Sequence, residues 1–342
     1  MNYKKATIKD VAREAKVSIA TVSYVVNNID KVIPETKARV LAAIKKLEYI
    51  PNSTARSLVK KESRVIGVLI PTKSALDKTI LMDNPFYQEF FSGVEFKARS
   101  YGYNTEIIAY EDENEFKVNI KGSTFAGIIV LGIIRESVYD SLLYLDIPIV
   151  VIDQERKVDN FYHINTDDEF GAYIAVKYLI EKGHRDIGLL THNINESIVH
   201  LNRYLGYTRA LEENNIQINK DLIFISEITY EGGESISDLV ASKIDNFTAI
   251  FSISDIMSMG LIKGLYKKNI FVPKDLSVVS FDDIKYSKYF IPELTTIRQE
   301  IFYKGEKSVD IIFNVNKGNN VEKDTIIQVK LIERESVYEL GE

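Results

Sequence analysis

The sequence predicts an α/β protein: a small all-α head, a linker, and a two-lobed core built on doubly wound parallel sheets. Three observations point there. Residues 7–49 carry helical periodicity with capping signals, and from residue 63 strand-like and helix-like segments alternate through two successive cycles. Charge is also split, with 14 Lys+Arg against 6 Asp+Glu in residues 1–64 and 29 against 43 in the remainder. A basic head on an acidic body suggests a nucleic-acid-binding unit attached to a separate globular one.

At 342 residues, 45% hydrophobic and 27% charged, the chain has room for two or three domains with sizeable cores. It contains no cysteine, which excludes disulfides, zinc thiolates and a thiol nucleophile. The N-terminus MNYKKATIKD lacks an apolar signal region, and GIIVLGII at 127–134 is too short to span a bilayer. A cytoplasmic chain with no membrane partner is the simplest expectation. His163, His184, His192 and His200 show no metal-ligand spacing, and no GxGxxG or GxxxxGK[ST] turn is present. Neither a metal, a cofactor nor an enzyme is therefore expected.

In the head, Thr7 is a good N-cap and Asp10 can complete a capping box, opening a short helix to Ala15 with Ile8, Val11, Ala12 and Ala15 on one face. Lys16-Val17 makes a tight turn, Ser18 is the next N-cap, and Ile19 to about Asn27 is a second helix whose Val22 and Val25 or Val26 can meet Ala12 and Ala15. Pro34 starts a third helix, PETKARVLAAIKKLEY, with Val40, Leu41, Ile44 and Leu47 at helical spacing. Helix, tight turn, helix and supporting helix make a helix-turn-helix head over residues 1–50. In that geometry the second helix enters the major groove, placing Ile19, Ala20, Thr21 and Tyr24 nearest base edges; Ser18, Ser23 and Asn27 lie closer to phosphates, with Thr7 counted among the DNA contacts.

The core begins at 63 with RVIGVLIP as a buried strand, then the helix PFYQEFFSGVEFKARSYG, then strands NTEIIAY, AGIIVLGI and IPIVVID. After Tyr162-His163-Ile164 the rhythm restarts with DDEFGAYIAVKYLIEKG and runs through RDIGLLTH, RYLGYTRALEEN, DLIFI, TAIFSI, DIMSMGLIKGLYKK and DLSVVSFDD. Two cycles imply two lobes, with chain crossings near 160, 291 and 320: one lobe of about 63–160 plus 292–320, the other of about 161–291 plus 321–342. Ligands of open α/β sheets gather at the carboxyl ends of strands, which selects Asp153, Ser254, Asp255 and Asp282.

TIKDVAREAKVSIATVSYVVNN and the following VIPETKARVLAAIKKLEYIPNSTARSLVKKESRVIGVLIP together resemble the head of the lactose/galactose-repressor (LacI/GalR) family of bacterial transcription factors. The resemblance implies a periplasmic-binding-protein-like core with its ligand between the lobes, and a homodimer on a near-palindromic double-stranded DNA operator. It makes residues 51–62 a hinge helix that forms on the operator: Leu58 as a minor-groove wedge, Ala55 as the small residue between two hinge helices, Asn52 as a backbone contact. An eight-residue helix, STARSLVK, is too short to hold itself in water, which agrees with folding on the partner. The resemblance adds Arg203, Tyr230, Gln299 and Tyr87 to the effector site. Arginine, aspartates and a flat aromatic suit a polyol such as a sugar or sugar derivative, and a nucleobase almost as well. Gly183-His184-Arg185 reads as a structural turn.

Three departures from the family pattern stand out: Ser254 where asparagine is usual, a short segment at 113–125, and Tyr24 where arginine is common. One subfamily, the catabolite control proteins, binds a phosphorylated carrier protein through basic residues on the helix matching 305–315. Here Asp310 and Asn314 take those places, so a small-molecule effector is expected instead. IERESVYELGE ends the sequence without a leucine heptad, so a dimer rather than a coiled-coil tetramer is expected.

Overall fold

A computed structural model describes residues 7–26, 31–47, 49, 63–71, 84–120, 124–132, 136–154 and 156–341. The chain divides into two compact units, Met1–Ser63 and Arg64–Glu342.

The head holds three helices, α1 (Ile8–Ala15), α2 (Ile19–Val26) and α3 (Pro34–Lys46). The capping box forms as Thr7 N–H and its hydroxyl both donate to Asp10 Oδ2, at 2.9 and 2.6 Å. Lys16 closes α1 in the left-handed conformation, φ 52°, and Val17 N–H returns to Ala12 O at 3.0 Å, so the chain turns within two residues. Val11, Val22 and Val40 are fully buried, with Ala12, Ala15, Val25 and Ala43 filling between them. Each fully buried valine contributes about 1.5–3 kcal/mol. Leu41 departs from expectation. It is 50% exposed, and Ala43 takes the inward place, because the buried stripe of α3 runs 40, 43, 44 and 47.

The core contains two six-stranded sheets. In the first, the order is β11-β5-β4-β3-β1-β2, all parallel, with β1 Val65–Pro71, β2 Asn104–Tyr110, β3 Gly127–Val130, β4 Ile149–Ile152, β5 Tyr162–Thr166 and β11 Asp324–Ile327. In the second, the order is β12-β10-β9-β8-β6-β7, with β6 Ile187–Thr191, β7 Ile223–Ile225, β8 Ala249–Ser252, β9 Ser277–Asp282 and β10 Thr295–Gln299 parallel. Only the edge strand β12, Val329–Ile332, runs antiparallel, against β10. Central strands buried on both faces, such as GIIV, IVVI, AIFS and SVVSFD, explain the continuous apolar runs.

The first sheet is covered by α4 (Pro85–Ser100), α5 (Glu113–Ile120), α6 (Glu136–Leu142) and α12 (Ile301–Asn316); α4 and α12 pack closely, since a Cβ at Gly93 would meet Phe302 O at 2.0 Å. The second is covered by α7 (Asp168–Glu181), α8 (Ile198–Glu213), α9 (Tyr230–Ser235), α10 (Ser237–Ala241) and α11 (Asp255–Tyr266). The segment at 113–125 thus retains a two-turn helix, α5. His184 holds its turn as expected, bonding Thr248 Oγ1 at 2.8 Å and Tyr338 O at 3.0 Å beside Gly183 at φ 92°.

The lobe boundaries lie later than the sequence suggests. The segments at 162–166 and 324–327 belong to the first sheet, and 295–299 to the second. Each crossing consists of one residue: Asp167 between β5 and α7, Glu300 between β10 and α12, Gln328 between β11 and β12. The turn-forming stretches near 160, 291 and 320 mark the start of one more strand in the lobe already under way, not the crossing itself. Asp167 (φ −79°, ψ 70°) and Glu300 (φ −77°, ψ 71°) share the inverse γ-turn conformation, so two strand-to-helix crossings are made alike. Among the described residues no helix is long and apolar enough to cross a membrane.

Candidate functional site

Two sites emerge, one on each unit. On the head, α2 buries Val22 and Val25, which turns the rest of its length outward: Ile19 is 45% and Tyr24 37% exposed, with Ala20 also exposed and Thr21 and Ser23 half-buried. Ser18 caps this helix, its Oγ accepting from Thr21 N–H at 3.1 Å and meeting Thr21 Oγ1 at 2.8 Å. An isoleucine and a tyrosine thus stand exposed on a short helix capped by Ser18. Asn27, Asn52, Ala55 and Leu58 lie outside the described residues.

The second site lies where the two sheets end. Arg203 donates from Nε to Asp168 Oδ1 at 2.8 Å and from Nη1 to Ile253 O at 2.5 Å and Asp282 Oδ1 at 3.4 Å, with its guanidinium 3.6 Å over the Phe281 ring. Asp282 also accepts from Ser254 Oγ at 2.9 Å and Gln299 Nε2 at 2.6 Å. Gln299 Oε1 accepts from Thr166 Oγ1 at 3.1 Å and from Lys304 Nζ at 3.0 Å, and Lys304 reaches Asp153 Oδ2 at 2.7 Å. Asp153, Thr166 and Lys304 come from the first lobe; Asp168, Arg203, Ser254, Asp282 and Gln299 come from the second. One continuous chain of hydrogen bonds therefore crosses between the lobes.

The backbone aims it. Asp153 and Asp282 follow or end strands at φ 52° and 119°, conformations that non-glycine residues adopt at a cost of order 1–3 kcal/mol. Such strain persists only where the surroundings enforce it. Burial pushes the Asp168 carboxyl up to about 6, opposed by Arg203 and supported by Asp153; burial likewise raises Asp282 against the pull of Arg203. The arginine's charge opposes that rise at both carboxylates.

The structure brings together five of the eight expected effector residues: Asp153, Arg203, Ser254, Asp282 and Gln299. Asp255 is bonded outside this network. It accepts from Ile284 N–H at 3.0 Å, Ser287 Oγ at 2.6 Å and Thr296 Oγ1 at 2.6 Å, fastening the 283–287 turn to β10, and burial with the nearby Asp282 charge pushes it up to about 7. Tyr230 opens α9, its hydroxyl pushed up by burial and by Glu234 against the pull of Lys267, and its backbone packs against α11, where a Cβ at Gly260 would meet Tyr230 O at 1.9 Å. Tyr87 is packed edge-on to Phe86 at 5.6 Å, its hydroxyl pushed up by burial, and it is Phe86 whose ring lies 5.6 Å from Lys304 Nζ. Periodicity does not tell which of two adjacent aromatics turns inward.

Lys304, Thr166 and Asp168 escape the sequence reading. A signal existed for Lys304: the buried stripe of α12 is Ile301, Lys304, Gly305, Ser308, Val309, Ile311 and Ile312, and a lysine on an apolar stripe needs a partner. Among the described residues no group of three or more acidic or histidine side chains is placed to hold a metal ion.

A family model for bacterial regulatory proteins of the lacI family matches residues 7–52, and one for a periplasmic binding protein-like domain matches 176–337. The chain is 34% identical over 337 residues to the HTH-type transcriptional regulator RegA of Clostridium saccharobutylicum, covering 96% of this chain and 98% of that one. The chain belongs to the LacI family. It is a DNA-binding transcriptional regulator, not an enzyme. This LacI-family protein is also 33% identical over 312 residues to catabolite control protein A of Priestia megaterium, covering 90% and 91% of the two chains. Its architecture matches the Lac repressor dimer bound to operator and the anti-inducer ONPF with TM-score 0.83 and 25% identity, covering 97% and 99%.

Proposed function

We propose that this regulator binds a near-palindromic operator as a homodimer in the cytoplasm, represses carbohydrate-utilisation genes, and is controlled by a sugar-like molecule between its core lobes. The observation that carries the effector reading is the hydrogen-bonded chain from Asp168 through Arg203, Asp282, Gln299 and Lys304 to Asp153, which draws on strand ends and helices of both lobes. A ligand hydroxyl inserted there exchanges bonds with residues of both lobes at once, so it has differential affinity for their arrangements, as control of operator affinity requires. Ile19, Ala20, Thr21 and Tyr24 read base edges, Ser18, Ser23, Asn27 and Thr7 contact phosphates, and Asn52, Ala55 and Leu58 act in the hinge.

Control by a phosphorylated carrier protein has little support on the helix surface. Asp310 on α12 is held by Tyr101 OH at 2.5 Å and Lys97 Nζ at 3.2 Å, and Asn314 bonds Asp310 O at 2.8 Å, so these two positions offer no basic side chain. Footprinting on the protein's own upstream DNA tests the proposal, with neutral sugars, sugar phosphates, nucleobases and the phosphocarrier added in turn. Protection that changes with a sugar is the expected result; protection that responds only to the phosphocarrier, or only to a nucleobase, overturns the effector assignment.

A further inference from the structure

Among the described residues Lys304 is the only cation of the hydrogen-bonded network supplied by the first lobe, and it is completely buried, with 0% of its side chain exposed. Its ammonium has three N–H bonds and three acceptors: Thr166 Oγ1 at 2.6 Å, Asp153 Oδ2 at 2.7 Å and Gln299 Oε1 at 3.0 Å. The Phe86 ring lies 5.6 Å from the same nitrogen. One carboxylate, two neutral oxygens and an aromatic face form a cage for a primary ammonium. Every donor of that ammonium is used within the protein.

Charge counting gives the cage a consequence for ligands. Within the connected network the cations are Lys304 and Arg203, and the carboxylates are Asp153, Asp168 and Asp282. Glu89, facing from α4, feels the charges of Asp283, Asp282 and Glu300, and burial with these repulsions holds its carboxyl above the usual range. An anionic ligand would enter a surrounding in which Arg203 and Lys304 are already paired and Arg298, the cation that also acts on Glu89, is paired with Asp283. A neutral polyol needs only donors and acceptors in alternation, which this network offers.

We propose that Asp153, Thr166, Gln299 and Phe86 form a cation subsite that Lys304 fills from within, and that this makes the effector an uncharged, hydroxyl-rich molecule. The charge class rests on the reading of the cleft as the effector site; the subsite itself does not.

Two measurements on the full-length protein separate the two statements. The first uses Lys304→Ala, which empties the cage, and follows thermal unfolding in n-propylammonium, tetramethylammonium and sodium chlorides at equal ionic strength. Propylammonium raises the melting temperature of the variant by several degrees relative to sodium and leaves the wild type unchanged, while tetramethylammonium, having no N–H, gives no such rise. Equal behaviour of the three salts overturns the subsite. Should the alanine variant not fold in any of them, Lys304→Met is compared with the double variant Lys304→Met/Asp153→Asn. The double variant melting higher supports the cage, and a double variant melting no higher than Lys304→Met overturns it.

The second measurement titrates wild type with glucose, ribose, glucosamine, glucose 6-phosphate and glucuronate by calorimetry. The neutral sugars bind, or bind at least tenfold more tightly than their charged derivatives; a phosphate or uronate that binds more tightly than its parent overturns the charge class. If none of the five binds, the cleft reading and the charge class built on it are overturned together, and the ammonium result still decides the subsite.

Discussion

The reading face of the head and the floor of the cleft solve opposite problems. On α2 the working side chains stand in water, Ile19 at 45% and Tyr24 at 37% exposed, over a core of small apolar residues. On the cleft floor the working side chains are themselves the interior, with Arg203 6% exposed and Lys304 at 0%. A surface that meets DNA must be presented before the partner arrives, whereas a site that senses a small molecule must be solvated by protein until the ligand replaces those bonds. Substitution on the first should alter recognition at little cost in stability, and substitution on the second should alter both.

The largest expected effect is on the floor. Arg203→Met leaves Asp168 and Asp282 buried without their shared cation, and removing one partner of a buried ion pair costs about 3–5 kcal/mol. Urea unfolding of the variant measures it, and a loss under about 1 kcal/mol would break the contrast, since that is the range of exposed pairs.

His200 gives the next effect, one turn before Arg203 on α8. Burial pushes its imidazole down to about 4, with the Asn193 carbonyl at 3.3 Å opposing that only partly. Because the folded value lies below the ordinary one near 6.5, its contribution to stability is present above that pH and fades as pH falls towards 4. Between pH 7 and 4.5 the wild type should lose about 2 kcal/mol more than His200→Gln. Paired urea titrations at the two pH values check this; parallel curves for both proteins would refute it.

In the head, Thr7→Ala removes the hydroxyl that donates to Asp10 at 2.6 Å and weakens the cap of α1, costing about 1 kcal/mol. Circular dichroism melts of the full chain and the variant report it. The smallest change in stability belongs to Tyr24→Arg, within about 0.5 kcal/mol because the side chain is exposed. Operator selection should nevertheless show a stronger guanine at the facing position in the variant, since only arginine offers a bidentate fork to guanine. Identical operator preferences for both proteins would remove Tyr24 from the reading face.

These differences also explain what could be read from the sequence. Apolar periodicity placed α1 to α3 and the central strands, because burial on one face or both leaves a pattern in residue type; it misassigned only Leu41 among the head's inward positions. Asp153, Ser254 and Asp282 were found by a rule about strand ends, and the structure puts all three on one network. The strands at 295–299, 324–327 and 329–332 were not assigned, since edge strands and strands carrying Thr, Arg and Gln lack a continuous apolar run. Tyr230 and Asp255 have suitable chemistry and neighbouring positions, but the direction of a side chain depends on packing between α9 and α11 and on the turn at 283–287, neither of which is local.

Asp167, Glu300 and Gln328 each join the lobes alone. Three one-residue connectors hold the two sheets like stitches along a seam: they forbid sliding and leave rotation as the cheap relative motion. Asp167 and Glu300 start from nearly the same backbone angles, so a given rotation can be divided evenly between them, a few degrees of torsion at each. The core then behaves as a book with a stiff spine, in which a bond exchanged on the inner margin is converted into angle, with little lost to shear.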